Sequence, residues 1–359
     1  IEISKIQNVC VGGLGSCPPE DRAIAWLVLS HVFPLNPETW TSTRSGNREL
    51  YVEYVNMFNL NGYENENYAF DTSTTFFREG IDNKLMELIH VDVLRTYHHI
   101  HILPFPDNTV QVTSEETVLG PFHNQMRRIE RVLYLFASLN RTVSYLQGFN
   151  EIAAVFYYTF SSSLPYFSND FEEMESFVFT SLQTLFGSTK FGELYTLQDR
   201  SSIIHHRMTF FVNVLQNHFP EAYKIIMKHN IHPLCFCFRW MSLLFAQEYL
   251  IPDLLLIWDA LYAHFDELVD YATYIAVAHV KMLESEISID DYIATMTALT
   301  KGKVDNVPKL LNIAKQYWDE DHNTSIFGKF KKMVNKLPSI NLPQMNLNVL
   351  QQLQTQQPK

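Results

Sequence analysis

Apolar residues recur along this chain at the three- and four-residue spacing of one face of an α-helix. The segment 126–139 shows the pattern most clearly, with apolar side chains at Met126, Ile129, Leu133, Phe136 and Leu139. Alternation at the two-residue period of a β-strand never extends beyond a few residues. The pattern predicts an all-α protein without a sheet, and the lack of a fixed repeat length argues against a solenoid.

Capping signals indicate where several helices begin and end. Prolines and acids at positions 18–21 suit the first turn of a helix that continues to about Phe33. A helix from Ile81 is expected to end near Arg95, before an irregular, Pro-containing stretch at 96–121. Further helices are predicted at 38–58, from Tyr145 onward, and at 171–187, 203–218, 220–229, 233–248, 251–264, 267–284, 289–299 and 306–318.

The chain is expected to have four parts. Residues 1–17 form a lead-in, and residues 18–325 form one large helical domain. Residues 326–337 combine apolar positions at helical spacing with lysines, so this segment either docks on an anionic membrane or closes the domain as its last packed helix. Residues 338–359 are rich in Gln, Asn and Pro and lack acidic residues, which predicts a disordered tail.

Composition narrows the class of protein. Hydrophobic residues make up 47% of the chain and aromatic residues 14%, which predicts that most of it packs into a core. The net charge of −12, without a long Lys/Arg cluster, excludes nucleic acid as the expected partner. No signal segment is found, and the longest uncharged apolar runs are far shorter than the roughly 20 residues of a membrane span. We expect a soluble protein of a reducing compartment.

The cysteines and histidines do not indicate a catalytic or metal site. Cys235 and Cys237 lie in an apolar run that is predicted to be buried helix, and burial opposes the reactive thiolate that a cysteine hydrolase needs. His98, His99 and His101 have no carboxylate or cysteine partner in the surrounding sequence, so they are expected to line a loop. We therefore expect no metal and no cofactor of the chain's own.

Three blocks of sequence carry candidate chemistry. Residues 89–96 read Ile-His-Val-Asp-Val-Leu-Arg-Thr, residues 145–150 read Tyr-Leu-Gln-Gly-Phe-Asn, and Arg239-Trp240 is followed downstream by Trp258-Asp259. Together they resemble the TBC domain of Rab GTPase-activating proteins. The hallmarks of that family are an IxxDxxR motif with an arginine finger and a YxQG motif with a glutamine finger. Both motifs occur in this chain without substitution.

The resemblance extends from about Arg22 to at least Asp259, and Arg22 and Trp26 match the family's early RxxxW helix. One departure is Leu256, where the family often has arginine, and it puts one peripheral polar contact in doubt. The resemblance implies a large multi-helix TBC fold and two catalytic residues, Arg95 and Gln147. It also implies supporting and structural positions, which are Asp92, Tyr145, Gly148, Asn150, Ile89, Thr96, Arg22, Trp26, Arg239, Trp240, Trp258 and Asp259.

The implied partner is a Rab-family small GTPase in its GTP-bound state. GTP and Mg²⁺ would arrive with that partner, because this chain has no P-loop lysine pattern of its own. The family further implies a cytoplasmic protein that is recruited to endomembranes and takes part in vesicle trafficking. No hydrolase activity is expected from the chain alone.

Helix geometry is consistent with these roles. Asp92 neighbours both Ile89 and Arg95 on a helix, whereas Arg95 lies about 120° around the axis from Ile89. Ile89 can therefore enter the core while Arg95 points outward with Asp92 beside it. A lone Asp-x-x-Arg is usually an ordinary ion pair contributing a few tenths of a kcal/mol. The second motif favours a catalytic interpretation, because a planar guanidinium suits the charge of a transferring phosphoryl group.

Gln147 offers an uncharged carboxamide with one acceptor and two donors, which can orient a water and contact a phosphate oxygen. The alternative without a catalytic role is that Gln147 is an exposed glutamine at the start of a helix. Arg239 is expected to be paired or at a surface, since an unpaired buried charge is costly, and Glu248, Asp259 or Glu151 could pair with it. Trp26, Trp240 and Trp258 are expected in the core.

One alternative of another class stays open. A TBC-fold scaffold could bind Rab proteins without accelerating hydrolysis. Family members reduced to scaffolds often lack one of the two finger residues, and this chain has both. The sequence therefore favours the catalytic interpretation over the scaffold.

Overall fold

The computed structural model describes residues 1–66, 78–105, 120–141, 143, 145–196 and 200–322. Within these ranges every regular element is an α-helix or a short 3₁₀ helix, which confirms the all-α prediction for the described residues. No helix in this part of the chain is long and apolar enough to cross a bilayer. The predicted basic segment 326–337 and tail 338–359 lie outside the described residues.

The α-helices, in chain order, are α1 (Ile3–Cys10), α2 (Pro19–Leu29), α3 (Trp40–Met57), α4 (Asn83–Arg95), α5 (Tyr97–Ile100), α6 (His123–Leu139), α7 (Phe149–Ser161), α8 (Phe171–Ser188), α9 (Arg200–His218), α10 (Pro220–Lys228), α11 (Cys237–Ser242), α12 (Asp253–Ala263), α13 (Leu268–Met282), α14 (Tyr292–Lys301) and α15 (Val307–His322). They form two compact units. The first unit comprises Ile1–Arg200 and Ser242–Asp270, and the second comprises Ser201–Met241 and the described residues from Tyr271 onward.

The helix α4, which carries Arg95, is defined by its two ends. Asp82 caps it, because its carboxylate accepts hydrogen bonds from the backbone N–H of Lys84 at 3.1 Å and of Leu85 at 3.2 Å. Arg95 is its last residue, where a cation is favoured by the helix dipole. The predicted helix from residue 81 to Arg95 is thus confirmed to within two residues at its start.

Two predicted boundaries are wrong because the backbone turns at residues with positive φ. The helix expected from Tyr145 begins only at Phe149, since Gly148 adopts a φ of 108° immediately before it. The helix expected over 233–248 is a 3₁₀ turn followed by the short α11, and the chain then turns through Leu244 and Phe245 at positive φ. Both irregular turns belong to the first unit, where they contact each other through Gly148 and Leu243.

Two short helices were not predicted. Helix α1 lies within the lead-in 1–17, and helix α5 lies within the stretch 96–121 that was expected to be irregular. The remaining predicted helices are found with boundaries that differ by a few residues.

Helix α7 is the centre of the first unit. It packs against α2, α4, α5, α6 and α8, and nearly all of its residues are buried. Phe156 on α7 meets the Trp26 ring edge-on at 6.3 Å and the Trp258 ring at 5.1 Å. Trp26, Trp240 and Trp258 are 0%, 1% and 0% exposed, which confirms that all three are core residues.

Helix α6 of the first unit carries buried charges that are closely paired. Arg131 donates to Glu175 at 2.8 Å and to Glu64 at 2.6 Å. Arg128 donates to the same Glu175 at 2.5 Å, and the Tyr51 hydroxyl donates to it at 2.7 Å. This carboxylate is therefore surrounded by donors, which offsets the free-energy cost of removing it from water.

Candidate functional site

Arg95 ends helix α4 with its side chain 52% exposed. Its Nη1 donates to Oδ1 of Asp92 across 3.4 Å, a long contact, while Asp92 itself is buried with a side chain 3% exposed. Ile89, one turn further back, is fully buried. The predicted arrangement of an inward Ile89 and an outward Arg95 is observed, and Arg95 keeps most of its donors available.

Gln147 is exposed in the turn that precedes α7. The next residue must be glycine for two reasons. Gly148 has a φ of 108°, and a Cβ atom built on it would lie 2.5 Å from Cδ2 of Leu243. The close approach of Leu243 and the left-handed turn together hold the backbone that presents Gln147.

Hydrogen bonds tie the segment of Gln147 to the end of α4. The Tyr145 hydroxyl donates to Oδ2 of Asp92 at 3.1 Å. The Asn150 amide donates to the backbone carbonyl of Asp92 at 3.1 Å and to Oγ1 of Thr96 at 2.8 Å. Its carbonyl oxygen accepts from the Gly148 N–H at 3.0 Å. The supporting residues of both sequence motifs thus form one connected group, which we call the clamp: Asp92, Thr96, Tyr145, Gly148 and Asn150.

The charge of the Asp92 carboxylate is only partly stabilised by its neighbours in and around the clamp. Burial raises the pKa of Asp92, and the hydrogen bond from Tyr145 and the nearby Arg95 only partly oppose that rise. Burial and the adjacent Asp92 carboxylate also raise the pKa of Tyr145 well above its ordinary value. The Tyr145 phenol therefore stays protonated and donates to Asp92 at neutral pH.

A second polar group adjoins the clamp and was missed from sequence. Glu151, in the first turn of α7, places Oε2 3.2 Å from Nε2 of His98 and 3.5 Å from Nε2 of His99. Gln247 donates to Oε1 of the same glutamate at 3.3 Å. Burial and the neighbouring His98 lower the pKa of His99 to about 4. The carboxylate partner of the two histidines thus comes from a segment that is distant in the sequence. The signal that could have identified Glu151 is its position directly after Asn150, the last residue of the second motif block.

The early and late structural motifs pair with each other. Arg22 Nε donates to Oδ1 of Asp259 at 3.0 Å, and Trp26 Nε1 donates to the same oxygen at 2.8 Å. Trp258 Nε1 donates to the Leu244 carbonyl at 3.0 Å, in the turn that also supports Gly148. These residues hold the core of the first unit and the turn beneath the clamp.

Leu256, the departure from the family pattern, packs against the N-terminal segment. A Cβ atom on Gly13 would lie 2.9 Å from Cβ of Leu256. The apolar side chain therefore lies directly against the Gly13 backbone, in the part of the first unit where α1 packs on α12.

Arg239 and Trp240 belong to the second unit. Arg239 was expected to be either paired or at a surface, and it is exposed. Its Nη2 donates to the Thr300 carbonyl at 3.1 Å. Trp240 is buried against the His279 ring at a centroid distance of 4.5 Å. Asp259, one of the carboxylates considered for Arg239, is occupied by Arg22 and Trp26.

The cysteines are unsuited to nucleophilic catalysis. Burial raises the pKa of Cys235 and raises that of Cys237 well above its ordinary value. A thiolate nucleophile needs the opposite shift. The direction of both shifts is the one expected for buried thiols and is opposite to the shift that the hydrolase alternative requires.

Comparisons with known proteins identify the family to which the chain belongs. A sequence profile described as the Rab-GTPase-TBC domain matches residues 22–288. TBC1 domain family member 13 of Homo sapiens is 24% identical, with 89% of this chain and 94% of that protein covered. The GTPase-activating protein GYP7 of Candida glabrata is 22% identical, with 74% of this chain and 33% of that protein covered.

A solved structure shows the same fold. The crystal structure of the Ypt/Rab-GAP domain of Gyp1p aligns with a TM-score of 0.65 at 14% identity, covering 92% of this chain and 94% of that chain. The Chlamydomonas flagellar RabGAP TBC domain aligns with a TM-score of 0.51, also at 14% identity, covering 86% and 83%. The fold that the resemblance implied is confirmed.

Proposed function

The chain belongs to the Rab-GTPase-TBC domain family, and we propose that it is a GTPase-activating protein that inserts Arg95 and Gln147 into the nucleotide site of a GTP-bound Rab. The observation that carries the proposal is the hydrogen bond from Tyr145 to Asp92. It joins the segments of two exposed residues whose chemistry is complementary. The chain supplies side chains to a partner's reaction and has no hydrolase activity alone.

Arg95 is proposed to stabilise negative charge on the transferring phosphoryl group. Its guanidinium has five donors, and Asp92 engages one of them through a long contact. The remaining donors can reach phosphate oxygens without first breaking a strong internal ion pair. Arginines in this role contribute about 10³–10⁵ in rate, or about 4–7 kcal/mol of barrier.

Gln147 is proposed to orient the attacking water. Its carboxamide can accept a hydrogen bond from that water and donate one to a phosphate oxygen at the same time. The rigid turn at Gly148 fixes the backbone from which Gln147 extends, so fewer conformations are lost when the partner docks. In the family mechanism this glutamine replaces the one that a GTPase normally uses itself.

The nucleotide and Mg²⁺ are proposed to be supplied by the Rab protein, which holds them in its own phosphate-binding loop. Localisation follows from the same partner. We propose a cytoplasmic protein that is brought to endomembranes by the membrane-attached Rab, with residues 326–337 as a second candidate for membrane contact.

Phosphate release from a panel of GTP-loaded Rab proteins tests this function. At least one Rab should be accelerated, and Arg95→Ala and Gln147→Ala should each reduce that acceleration at least about tenfold, equivalent to about 1.4 kcal/mol. Arg48→Ala and Gln316→Ala remove an arginine and a glutamine from α3 and α15 and should keep full activity.

The same experiment separates the catalyst from the scaffold. A wild-type chain that binds a GTP-loaded Rab without accelerating phosphate release would establish the scaffold alternative. Full activity in Arg95→Ala or in Gln147→Ala would remove that residue from the mechanism.

A further inference from the structure

Two histidines and a glutamate converge beside the clamp in an arrangement typical of metal ligands. His98, His99 and Glu151 each offer one ligand atom, and the three atoms lie within 4.8 Å of one another. His99 is fully buried, Glu151 has a side chain 4% exposed, and His98 has one 24% exposed. Of the three side chains, that of His98 is the most exposed.

The distances suit a small tetrahedral ion. Zinc bonds to nitrogen and oxygen of about 2.0–2.2 Å place neighbouring ligand atoms roughly 3.3 Å apart in a tetrahedral site. The two separations from Glu151 Oε2, to His98 Nε2 and to His99 Nε2, are 3.2 Å and 3.5 Å. The third separation, between the two histidine ligand atoms, is at most 4.8 Å, so the imidazoles would have to draw closer together by up to about 1.5 Å for one ion to contact all three.

The glutamate has an oxygen that lacks a hydrogen-bond donor. Oε1 of Glu151 accepts from Gln247, whereas Oε2 is buried and forms no hydrogen bond with the described residues. The two imidazoles approach Oε2 without forming hydrogen bonds to it. A buried carboxylate oxygen in this state is unfavourable, and a bound cation would satisfy it.

We propose that His98, His99 and Glu151 bind one divalent transition-metal ion of the zinc type, with water completing the coordination. Two imidazoles and one carboxylate form a donor set that such ions accept. The proposal does not rest on the GTPase-activating function. It replaces the expectation of a metal-free protein, which depended on these histidines having no carboxylate partner.

Metal binding has an identifiable cost at His99. In the metal-free protein, Nε2 of His99 lies 3.1 Å from the Ala246 carbonyl and can donate to it. Coordination through Nε2 moves the imidazole proton to Nδ1 and breaks that hydrogen bond. The ion must therefore bind strongly enough to offset one buried hydrogen bond, so zinc affinity should be lower than in a site whose ligands make no such bond.

The ion would join two segments that continue from the proposed finger residues. His98 and His99 lie on α5, directly after the helix that ends at Arg95. Glu151 lies in the first turn of α7, directly after the turn of Gln147. The expected consequence is a more stable clamp region, because the ion cross-links α5 to α7.

Metal titration of the full chain tests the proposal without any GTPase. After treatment with a chelator and dialysis, calorimetry with ZnCl₂ should show one ion per chain, and zinc should raise the melting temperature. Co²⁺ should give the intense visible absorption of a four-coordinate site. His98→Ala should weaken zinc binding at least about 100-fold, since changes to residues behind a ligand already cost 10–100-fold.

Two further variants make the test specific. His101→Ala removes an exposed histidine from the same segment and should bind zinc as the wild type does. Glu151→Gln preserves the size of the side chain and should weaken binding as His98→Ala does. The proposal is overturned if the wild type binds no zinc at micromolar concentrations, or if His98→Ala and Glu151→Gln bind it unchanged. Because no GTP is present, a failure of zinc binding is distinct from a failure of the proposed function.

Discussion

Arg131 and Arg95 both lie on helices of the first unit and both contact carboxylates, but their surroundings differ sharply. Arg131 has a side chain 2% exposed and contacts Glu175 and Glu64 at 2.6–3.0 Å. Arg95 has a side chain 52% exposed and one contact of 3.4 Å to Asp92. The donors of Arg131 are engaged in ion pairs within the fold, whereas most donors of Arg95 are available to bind a partner.

The carboxylates in the two regions show the same contrast. Burial raises the pKa of Glu130. The opposing effects of Arg127 and of the hydrogen bonds from His90 and Tyr63 are together larger, so the net pKa is about 2. In contrast, the net pKa of Asp92 is raised, because Tyr145 and Arg95 do not fully offset its burial. Partners rather than depth decide the sign, since Glu130 and Asp92 are both buried.

This difference indicates that two regions of the first unit have different roles, one structural and one functional. The charges of α6 are closed into a network that contributes to structural specificity and is costly to break. The clamp holds the buried Asp92 carboxylate with incomplete pairing beside the exposed Arg95, as functional sites often do. Substitutions in the two regions should therefore separate into those that change stability and those that change activity.

The largest expected effect on stability comes from breaking the closed network. Glu175→Gln leaves the buried Arg131 and the largely buried Arg128 without their shared counter-charge, so the free energy of unfolding should fall by about 3–5 kcal/mol. Urea denaturation measures the change. Glu2→Gln, which removes the exposed partner of Lys5, is the control and should cost less than about 1 kcal/mol. Equal effects of the two variants would contradict the contrast.

The next effect is a pH dependence of opposite sign in the two regions. The folded-state pKa of Glu130 is about 2 against an ordinary 4.5, so its stabilisation is present above pH 4.5 and is lost as pH falls toward 2. The difference between these two pKa values corresponds to about 3 kcal/mol. The advantage of the wild type over Glu130→Gln should shrink in that window, as measured by urea denaturation at each pH.

Asp92 provides the matching comparison. Its pKa is raised in the folded protein, so stabilisation from protonated Asp92 is present below the ordinary value of 3.8 and is lost as pH rises through the folded value. The stability of the wild type relative to Asp92→Asn should therefore increase as pH falls. Parallel pH profiles for the Glu130 and Asp92 variants would show that the two carboxylates are not in different environments.

A smaller effect is expected when the clamp loses one hydrogen bond. Tyr145→Phe removes the donor to Asp92 and should lower the free energy of unfolding by about 1–2 kcal/mol. It should also lower GTPase activation, because Asp92 then has one partner fewer to hold it beside Arg95. Phosphate release and urea denaturation measure the two effects.

Tyr157→Phe is a matched control on α7. Its hydroxyl is buried without a hydrogen-bond partner among the described residues, so its removal should be neutral or slightly stabilising. If Tyr145→Phe behaved like Tyr157→Phe in both measurements, the Tyr145 to Asp92 bond would have no role.

The contrast between the two regions also explains what could be predicted from sequence. The inward Ile89 and outward Arg95 follow from the period of one helix, and the helix end follows from local capping, so both were predictable. The sequence predicts a helix from Tyr145 onward, so it does not reveal the turn at Gly148. Its left-handed backbone depends on Leu243, which lies far away in the sequence.

Groups assembled from distant segments were not predictable in the same way. Periodicity alone treats the charges of α6 as solvent-facing, and only the packing of α8 and neighbouring segments shows that they are buried. Likewise, His98 and His99 acquire a carboxylate only when α7 returns beside α5. The sequence contains these residues but not the tertiary distances between them.

Only a small change in stability is expected for the residue with the largest proposed effect on activity. Arg95→Ala should change the free energy of unfolding by less than about 0.5 kcal/mol, because an exposed ion pair contributes little and removing Arg95 frees no buried charge that was well paired. Urea denaturation should give overlapping curves for this variant and the wild type. A loss of several kcal/mol would mean that Arg95 is a structural partner of Asp92, and its reduced activity could then follow from unfolding. Unchanged stability with lost activation would place the effect of Arg95 outside the folded chain, at the docked partner.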